Sequence, residues 1–421
     1  VLSLVPVSAL AAKEQTGPET PVCAGLEGCT EDAHDPACPL YVVPGGDSNA
    51  YYEFEDVTTL GTPAALTTQA ADGMSGTCGA TESDTVKWEL TQNNADTKNP
   101  TYTLIISGSG AMADFPDAGK APWYLLFPNK GAETAITAIE IGKDVTVIGN
   151  NAFVWCKAVE SVTFEAGSAL REIRLNGFHS LVKITSIELP ASLAEIGGAA
   201  FYGCSALERV SFQDPDRLTV IGGSAFGACG ALKRFNSDAE GVCSIPQNVT
   251  SIGDKAFSAC KNLEAVYIPA EVETLRGAFW GCSKLASVTF APGSKVKDLS
   301  ASGDQGTFSS TALTSIDLPE SVETIGKNCF YYSKLESISI PSRVQSIGAS
   351  AFAACPLMSV AFAENTQLKE IGKSAFSVQS SNSIKIENFI IPEGVESVGG
   401  SLLHNGRVTS LIRVPSTLTA G

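Results

Sequence analysis

The sequence is poor in the residues that most often carry catalysis or metal binding. Of its 421 residues, 3 are His and 3 are Met. His34, His179 and His404 stand far apart, and none belongs to an H-E-x-x-H motif. A G-x-S-x-G nucleophile motif is also missing. Acidic residues are scattered, so no pair stands out as the two carboxylates that a glycosidase needs. Nothing in these patterns favours an enzyme, and no catalytic residue, metal or cofactor is predicted.

Positive charge is scarce as well. Lys and Arg number 28 against 45 Asp and Glu, a formal net charge of −17, and no basic run is present. A chain this acidic is repelled by phosphate backbones and by anionic lipid, so nucleic acid is excluded as a partner. After the first residues, no apolar stretch approaches the roughly 18 residues of a membrane span. We therefore expect no membrane insertion within this sequence.

The first residues have the composition of an export signal. Residues 1–12 are apolar and end in small residues, and the polar stretch Lys13–Thr16 follows. This order is typical of the end of a secretory signal peptide, although an ordinary buried strand or helix is the alternative. Residues 13–75 are rich in Thr, Ala, Gly, Pro and acidic residues without any period, which indicates a linker or loosely ordered segment. The protein is therefore expected outside the cell or at its surface.

A repeat occupies most of the remaining chain. The segment Ile347–Phe362 defines a frame with Ile-Gly at its start and Ala-Phe four residues later, and this frame recurs along the sequence. Spacings between the frame Phe residues run from 22 to 31 residues and are mostly 22 to 25, a period typical of leucine-rich repeats. The frame Phe stands at positions 153, 178, 201, 226, 257, 279, 308, 330, 352 and 376, with Leu403 in the last copy.

The residue types of one repeat predict one coil. Leu335–Ile340 reads L-x-x-I-x-I, a short strand with apolar side chains inward, and Pro341 ends the ladder because it lacks an N–H. Gly348 is expected to allow a tight corner, and Phe352 to fill the floor of the coil. One coil cannot bury these residues alone, so neighbours must stack on it. We predict an α/β-type solenoid of about eleven to twelve coils, whose twelve strands form one long parallel sheet of about 55 Å.

The repeat resembles a known family. Its pattern, IGxxAFxxCxxLxxVxIPxxV, is similar to the BspA-like leucine-rich repeats of bacterial surface proteins, over residues 131–421. The preceding stretches Gly76–Gly79, Val86–Leu90, Thr103–Met112 and Ala121–Tyr124 resemble a segment found ahead of such repeats in surface proteins of gut Firmicutes. The resemblance implies an adhesin or host-contact protein, since some members of the family bind extracellular-matrix proteins.

Residues 76–130 are predicted to cap the solenoid. Two strand patterns, around Thr85–Leu90 and Thr101–Ser107, flank a turn and indicate a β-hairpin. A solenoid end exposes an apolar edge, so a terminal cap is physically required. The hairpin, with Trp88 and Trp123, is the candidate cap, and residues 131–421 form the solenoid.

The twelve cysteines divide by position. Six stand three residues after a frame Phe and are predicted to be small buried thiols, because parallel side-chain directions disfavour disulfides between neighbouring coils. Cys23, Cys29, Cys38 and Cys78 belong to a region without an obvious core, where we expect one or two disulfides. Zinc is the weaker alternative because no C-x-x-C pair is present. The six frame cysteines are Cys156, Cys204, Cys229, Cys260, Cys282 and Cys355.

The outward positions of the predicted strands suggest a binding patch. Most are Ser or Thr, as in a plain solvated ladder. Arg209, Arg234, Asn236 and Tyr267 differ, and they are predicted to lie on three consecutive strands of the concave face. Arg and Tyr are enriched among interface hot spots. These four residues are the candidate site, with an ordinary polar surface as the alternative.

The combined features favour a binding protein over an enzyme. We expect a secreted or surface-displayed bacterial protein that binds a protein partner, either extracellular or on a host surface. One alternative is a glycan-binding module, for which more exposed aromatic residues would be expected on the outward columns. Another is a substrate-docking part of a larger extracellular hydrolase.

Overall fold

Each repeat contributes short strands to a parallel β-solenoid of about 11 turns, which confirms the solenoid prediction. The computed structural model describes residues 74–94, 98–126, 132–378, 385–386, 389–403, 407–408, 415–416 and 418. The predicted export signal, almost all of the predicted linker, and Cys23, Cys29 and Cys38 lie outside these residues. Helix within the described part is confined to Ala132–Ala135 and the 3-10 turns Pro122–Leu126 and Pro215–Arg217. The coils thus close through turns instead of helices.

The L-x-x-I-x-I segments form the first ladder. In Ser337–Ile340, the side chains of Ile338 and Ile340 are buried while Ser337 and Ser339 are exposed, as the alternation predicts. The first-ladder strands of the repeats are Ile136–Ile141, Ser161–Phe164, Ser186–Leu189, Arg209–Phe212, Arg234–Phe235, Val242–Ser244, Ala265–Ile268, Ser287–Phe290, Ser337–Ile340, Ser359–Phe362, Lys385–Ile386 and Arg407–Val408.

The first ladder is divided into several hydrogen-bonded sheets, which corrects the expectation of one long sheet. The strand expected at Ser315 is not formed, although Ile316 still points into the core. The interruption lies in the repeat that follows the long, 29-residue spacing between Phe279 and Phe308. A cleft of about 510 Å³ opens there, lined by residues 288–291, 293–294 and 317–321.

A second ladder lies at the Ile-Gly start of each repeat. Its strands are two to four residues long and form two sheets, and isolated bridges join Thr274 to Asp298 and Asp298 to Thr324 at the start of the second sheet. They are Gly110–Ala111, Val145–Ile148, Glu172–Ile173, Glu195–Ile196, Val220–Ile221, Ser251–Ile252, Thr324–Ile325, Ser346–Ile347, Glu370–Ile371 and Ser397–Val398.

The frame glycines mark the closest approach between coils. A Cβ on Gly348 would lie 2.4 Å from the Lys327 nitrogen, and one on Gly222 would lie 2.5 Å from the carbonyl carbon of Gly197. Neither glycine has a positive φ. Glycine is therefore required because two backbones touch, and not because a tight corner needs its conformational freedom, as the sequence suggested.

The frame Phe residues form a continuous column in the core. From Phe153 to Phe376 each ring stacks on the next, with centroids 5.1 to 6.0 Å apart, and every ring is at most 2% exposed. The Trp123 ring stacks on Phe153 at 5.4 Å and so closes the N-terminal end of the column. The predicted filling of each coil floor by Phe is thus confirmed.

The turn around each frame Phe has an unusual backbone. Residues two before and two after the Phe commonly have positive φ, as Asn151 (56°) and Trp155 (63°) do around Phe153. The N–H groups of Asn151, Phe153 and Trp155 donate to carbonyl oxygens of the next coil. These contacts pair backbone groups that would otherwise be buried without partners. The row of turns is called the turn edge below.

The hairpin ahead of the repeats joins the first ladder. Its strands Lys87–Gln92 and Tyr102–Ser107 pair antiparallel, close to the predicted positions, and Ser75–Thr77 pairs with the first of them. Tyr102–Ser107 then runs parallel to Ile136–Ile141. The apolar face of the first coil is therefore covered by strands of the same ladder.

Candidate functional site

Two of the four predicted patch residues are direct neighbours. Arg209 and Arg234 are register partners on adjacent parallel strands, so their side chains leave the ladder side by side. On the other side, Ser186 is the register partner of Arg209 on the neighbouring strand. The two guanidinium groups thus form a local cationic pair on an outward face that elsewhere carries mainly small hydroxyl residues.

Tyr267 does not lie on the strand next to Arg234, which corrects the expectation of three consecutive strands. Val242–Ser244 intervenes, because Phe235 pairs with Cys243 and Ser244 pairs with Tyr267. The 31-residue spacing between Phe226 and Phe257 supplies this additional strand. Tyr267 therefore stands about 10 Å from the arginine strand, two strand steps away. Its side chain is 36% exposed between Ser244 and Thr289.

Asn236 lies at the end of its strand instead of in an outward column of the ladder. The strand ends at Phe235, and Asn236 has a φ of 49°. Its N–H donates to the Val210 carbonyl at 2.9 Å. Asn tolerates the left-handed region better than most residues, so this position serves the turn. Asn236 therefore lies just after the strand, and not within it as the sequence predicted.

An acidic loop flanks the arginine pair. Residues 237–241 lie between the strands Arg234–Phe235 and Val242–Ser244, and this loop carries Asp238 and Glu240. The Arg209 guanidinium contacts Asp238 at 2.9 Å, and the Arg234 guanidinium contacts Glu240 at 3.7 Å. The Nε of Arg234 is buried and has no hydrogen-bond partner. Exposed ion pairs of this kind stabilise a fold by only about 0–1 kcal/mol. They orient the two guanidinium groups, and another carboxylate can replace them at little cost.

The sequence analysis missed this loop. Its signal was the unusually long spacing between Phe226 and Phe257 together with the acidic stretch Ser237–Glu240. An inserted loop between two ladder strands lies beside the outward columns, and its carboxylates reach the arginines. The candidate site is therefore a group of alternating charges beside an exposed phenol, and not an isolated basic patch.

The six frame cysteines are buried free thiols, as predicted. The Sγ atoms of Cys204, Cys229, Cys260, Cys282 and Cys355 donate to the carbonyl oxygen of the frame Phe one coil earlier, at 2.9–3.3 Å. Burial raises the pKa of the Cys204 and Cys282 thiols to about 12. A raised pKa keeps the thiol protonated and unreactive.

Cys78 is also a free thiol and is 2% exposed, which corrects its inclusion among the candidate disulfide residues. The hydrogen bonds of its own N–H to Val86 and of the Ala113 N–H to its carbonyl fix it inside the cap. Burial raises the pKa of the Cys78 thiol to about 12.

We expect the nine free cysteines of the described chain to resist alkylation in the folded protein and to react in denaturant without reductant. Burial raises the pKa of the Cys204 and Cys282 thiols to about 12, so their native labelling should stay slow even at pH 9, where an exposed thiol of ordinary pKa reacts fast. Mass spectrometry of iodoacetamide-treated protein measures this. Rapid native labelling of Cys204 or Cys282 at pH 9 would contradict the stacked core.

The described residues offer neither a metal site nor a membrane-spanning helix. No group of three or more His, Cys, Asp or Glu residues there is placed to hold a metal ion. Within the same residues, no helix has the length and apolar character needed to cross a membrane. In the cleft of the interrupted ladder, the Glu320 carboxylate already accepts hydrogen bonds from the Ser342 N–H and hydroxyl.

Comparison with protein families gives one match. A profile described as a BspA type leucine rich repeat region matches residues 131–242, 242–302 and 303–420, with six copies. The matched residues include the whole arginine pair, its acidic loop and Tyr267. No curated protein matches the chain.

Several solved structures are similar to the chain. The pneumococcal vaccine antigen PcpA is 18% identical, with 80% of this chain and 100% of that chain covered and a TM-score of 0.40. A leucine-rich repeat protein from Bacteroides ovatus is 24% identical, with coverages of 78% and 88% and a TM-score of 0.42. One from Eubacterium ventriosum is 18% identical, with coverages of 82% and 98% and a TM-score of 0.40.

Proposed function

The chain belongs to the family of BspA type leucine-rich repeat proteins, and from this premise we propose that it is a bacterial binding protein, displayed outside the cell, with no catalytic role of its own. Its partner is a protein on a host surface or in the extracellular matrix. The apolar opening residues 1–12, followed by polar residues, support export. The outward face of the first ladder around Arg209, Arg234 and Tyr267, called the arginine face below, is the contact surface.

The observation that carries this proposal is the direct pairing of Arg209 with Arg234 on a rigid ladder. The Phe column beneath the ladder is fully buried, so these side chains are not needed to complete the core. Arg presents a planar fork that binds carboxylates bidentately, and Tyr267 offers a partly exposed ring nearby. Such groups are the common anchors of protein interfaces.

The acidic loop determines how a partner engages. Asp238 is 95% exposed and Glu240 is 65% exposed, so both side chains can swing away from the arginines at little cost. A partner carboxylate then replaces them at the guanidinium groups, while partner cations meet the released acids. Complementary charges of both signs favour one orientation of the partner and disfavour others.

Binding to immobilised extracellular-matrix proteins tests the proposal. We expect Arg209→Ala together with Arg234→Ala to weaken binding by at least about 2 kcal/mol and to reduce its dependence on salt, because charge-assisted contacts at an interface are lost. The matched control is Ser315→Ala together with Ser337→Ala, which should change nothing: Ser315 is exposed where the ladder is interrupted, and Ser337 is exposed on the strand Ser337–Ile340. Surface plasmon resonance measures both.

A third variant tests whether the arginines attract the partner directly, or whether their removal only disturbs the surface. Asp238→Asn together with Glu240→Gln removes the internal competitors for the guanidinium groups, so it should strengthen binding to an acidic partner. Equal, negligible effects of the arginine and serine pairs would rule out the arginine face as the contact surface. Absence of binding to every matrix protein tested would overturn the proposed partner class.

A further inference from the structure

The exposed aromatic side chains are concentrated on the turn edge. Among the described residues, Trp155, Tyr202, Tyr267, Tyr331 and Tyr332 are 36% exposed or more. Four of these five lie one or two positions after a frame Phe, and only Tyr267 lies on the first ladder. The aromatic surface that a glycan-binding protein requires is therefore present, but away from the outward columns where the sequence suggested looking for it.

Trp155 has a backbone conformation that is unfavourable for a bulky side chain. Its φ of 63° is in the left-handed region, where bulky residues are rare. The equivalent residues of the next four coils are Ser180, Gly203, Ala228 and Ala259, and all four are small. Because those coils form the same turn without a large side chain, the fold does not need an indole here. A strained, 44% exposed Trp points to a surface role.

The next two coils extend the aromatic surface. The His179 and Tyr202 rings pack at 5.2 Å with an angle of 31° between their planes. The Trp155 N–H donates to the His179 carbonyl, and the Ser180 N–H donates to the Tyr202 carbonyl, so the three residues lie on three consecutive coils. Phe153, Phe178 and Phe201 beneath them are spaced at 5.2 and 5.4 Å.

The row is held in place before any ligand arrives. A Cβ on Gly227 would lie 2.9 Å from the Tyr202 ring, so the absence of that side chain gives the ring room over the following coil. The Ser180 hydroxyl lies 2.8 Å from the Nδ1 atom of His179 and fixes the imidazole. Rings that need no rearrangement lose little conformational entropy on binding.

The row carries no formal charge at neutral pH. Burial lowers the pKa of His179 to about 4, so its imidazole is neutral, and Trp155 and Tyr202 are uncharged. The whole chain has a net charge of −17, which disfavours an anionic ligand. A small, neutral ligand with apolar faces and hydroxyl groups fits it best.

We infer that Trp155, His179 and Tyr202 form a binding site for a neutral oligosaccharide that lies along the turn edge. The C–H faces of successive sugar rings stack on the indole and phenol rings, whose faces carry partial negative charge. Sugar hydroxyls hydrogen-bond to the phenol and the imidazole at the margins. This site is separate from the arginine face in residues and in ligand, so either can fail without the other.

Titration with neutral tetrasaccharides tests the site. The probes are cellotetraose, xylotetraose, mannotetraose and N-acetylated chitotetraose, followed by calorimetry and by tryptophan emission. Trp88 and Trp123 are buried and Trp280 is half-buried, so only the part of the emission change that Trp155→Ala abolishes reports on Trp155. We expect at least one probe to bind, and Trp155→Ala or Tyr202→Ala to weaken it about tenfold or more, the loss expected for one stacked ring. Tyr202→Phe keeps the ring and should retain most of the binding.

Tyr332→Ala is the matched control. Tyr332 stands two residues after its frame Phe, like Trp155, with a φ of 60° and 46% exposure. Its removal should leave saccharide binding unchanged, and circular dichroism should show all these variants folded. The inference is overturned if no neutral probe binds up to millimolar concentration, or if Trp155→Ala binds a probe as well as the unaltered protein does. It is also overturned if an oligogalacturonate, added as an anionic comparison, binds and the neutral probes do not. Loss of matrix-protein binding in Trp155→Ala would instead place the protein contact here.

Discussion

Gly222→Ala should be among the most damaging single-methyl additions to this protein. The new Cβ would lie 2.5 Å from both the Gly197 carbonyl carbon and the Gly198 nitrogen. The obstacle is backbone on one coil, so no side chain can rotate away, and the coils must separate. We expect a loss of at least about 3 kcal/mol, at the upper end of what overpacking costs. Denaturant unfolding and hydrogen exchange of the coils on either side measure the effect.

Gly230→Ala provides the matched control. A Cβ at Gly230 meets nothing within 4 Å, and its φ is not positive. The same substitution should therefore be neutral there, or slightly stabilising, because alanine restricts the unfolded chain more than glycine does. If Gly222→Ala and Gly230→Ala have equal stability, the close approach of the frame glycines is wrong.

Phe352→Ala should lower the free energy of unfolding by creating a cavity in the Phe column. The Phe352 ring is 1% exposed and stacks on Phe330 at 5.2 Å and on Phe376 at 5.1 Å. Removing it leaves a cavity bordered by both neighbouring coils, so we expect a loss of about 3–5 kcal/mol. Because coils stabilise one another through their interfaces, hydrogen exchange should accelerate in the adjacent coils before the distant ones.

Phe362→Ala tests whether position in the frame matters more than residue type. Phe362 belongs to the same repeat but is only half-buried at the end of its strand, with an edge contact to Phe389. Its removal should cost clearly less than the removal of Phe352. Equal costs would mean that the Phe column does not hold the coils together.

The repeat frame predicted the core well for a physical reason. Burial in a stacked coil is decided by local spacing, so positions such as Phe352 and Ile340 can be read from one repeat and transferred to the others. The role of Gly348 was less accessible, because close approach between coils is a contact between residues about 22 positions apart. Both a sharp corner and a close backbone contact select glycine, and sequence alone does not distinguish them.

The surface was predicted less well, since insertions alter it without disturbing the frame. The extra strand Val242–Ser244 separates Tyr267 from Arg234, and the loop before it brings Asp238 and Glu240 to the arginines. Outward columns derived from a regular period place residues in the wrong rows after such an insertion. The row containing Trp155 was missed because its residues follow the Phe, in turns that show no apolar period.

Two surfaces of the stack thus have distinct chemistry. The arginine face carries paired charges and is our proposed protein contact, whereas the turn edge carries uncharged rings and is our proposed sugar site. Solenoids present both along their length because each coil adds one residue to every column.

Oxidative footprinting of the complex with a bound matrix protein tests the arginine face most directly. Tyr267, Tyr331 and Tyr332 are similarly exposed in the free protein, at 36%, 41% and 46%, so they serve as internal references for one another. The account predicts that a bound partner protects Tyr267 from oxidation while Tyr331 and Tyr332 react as before. Unchanged oxidation of Tyr267 in a saturated complex, with protection elsewhere, would contradict it.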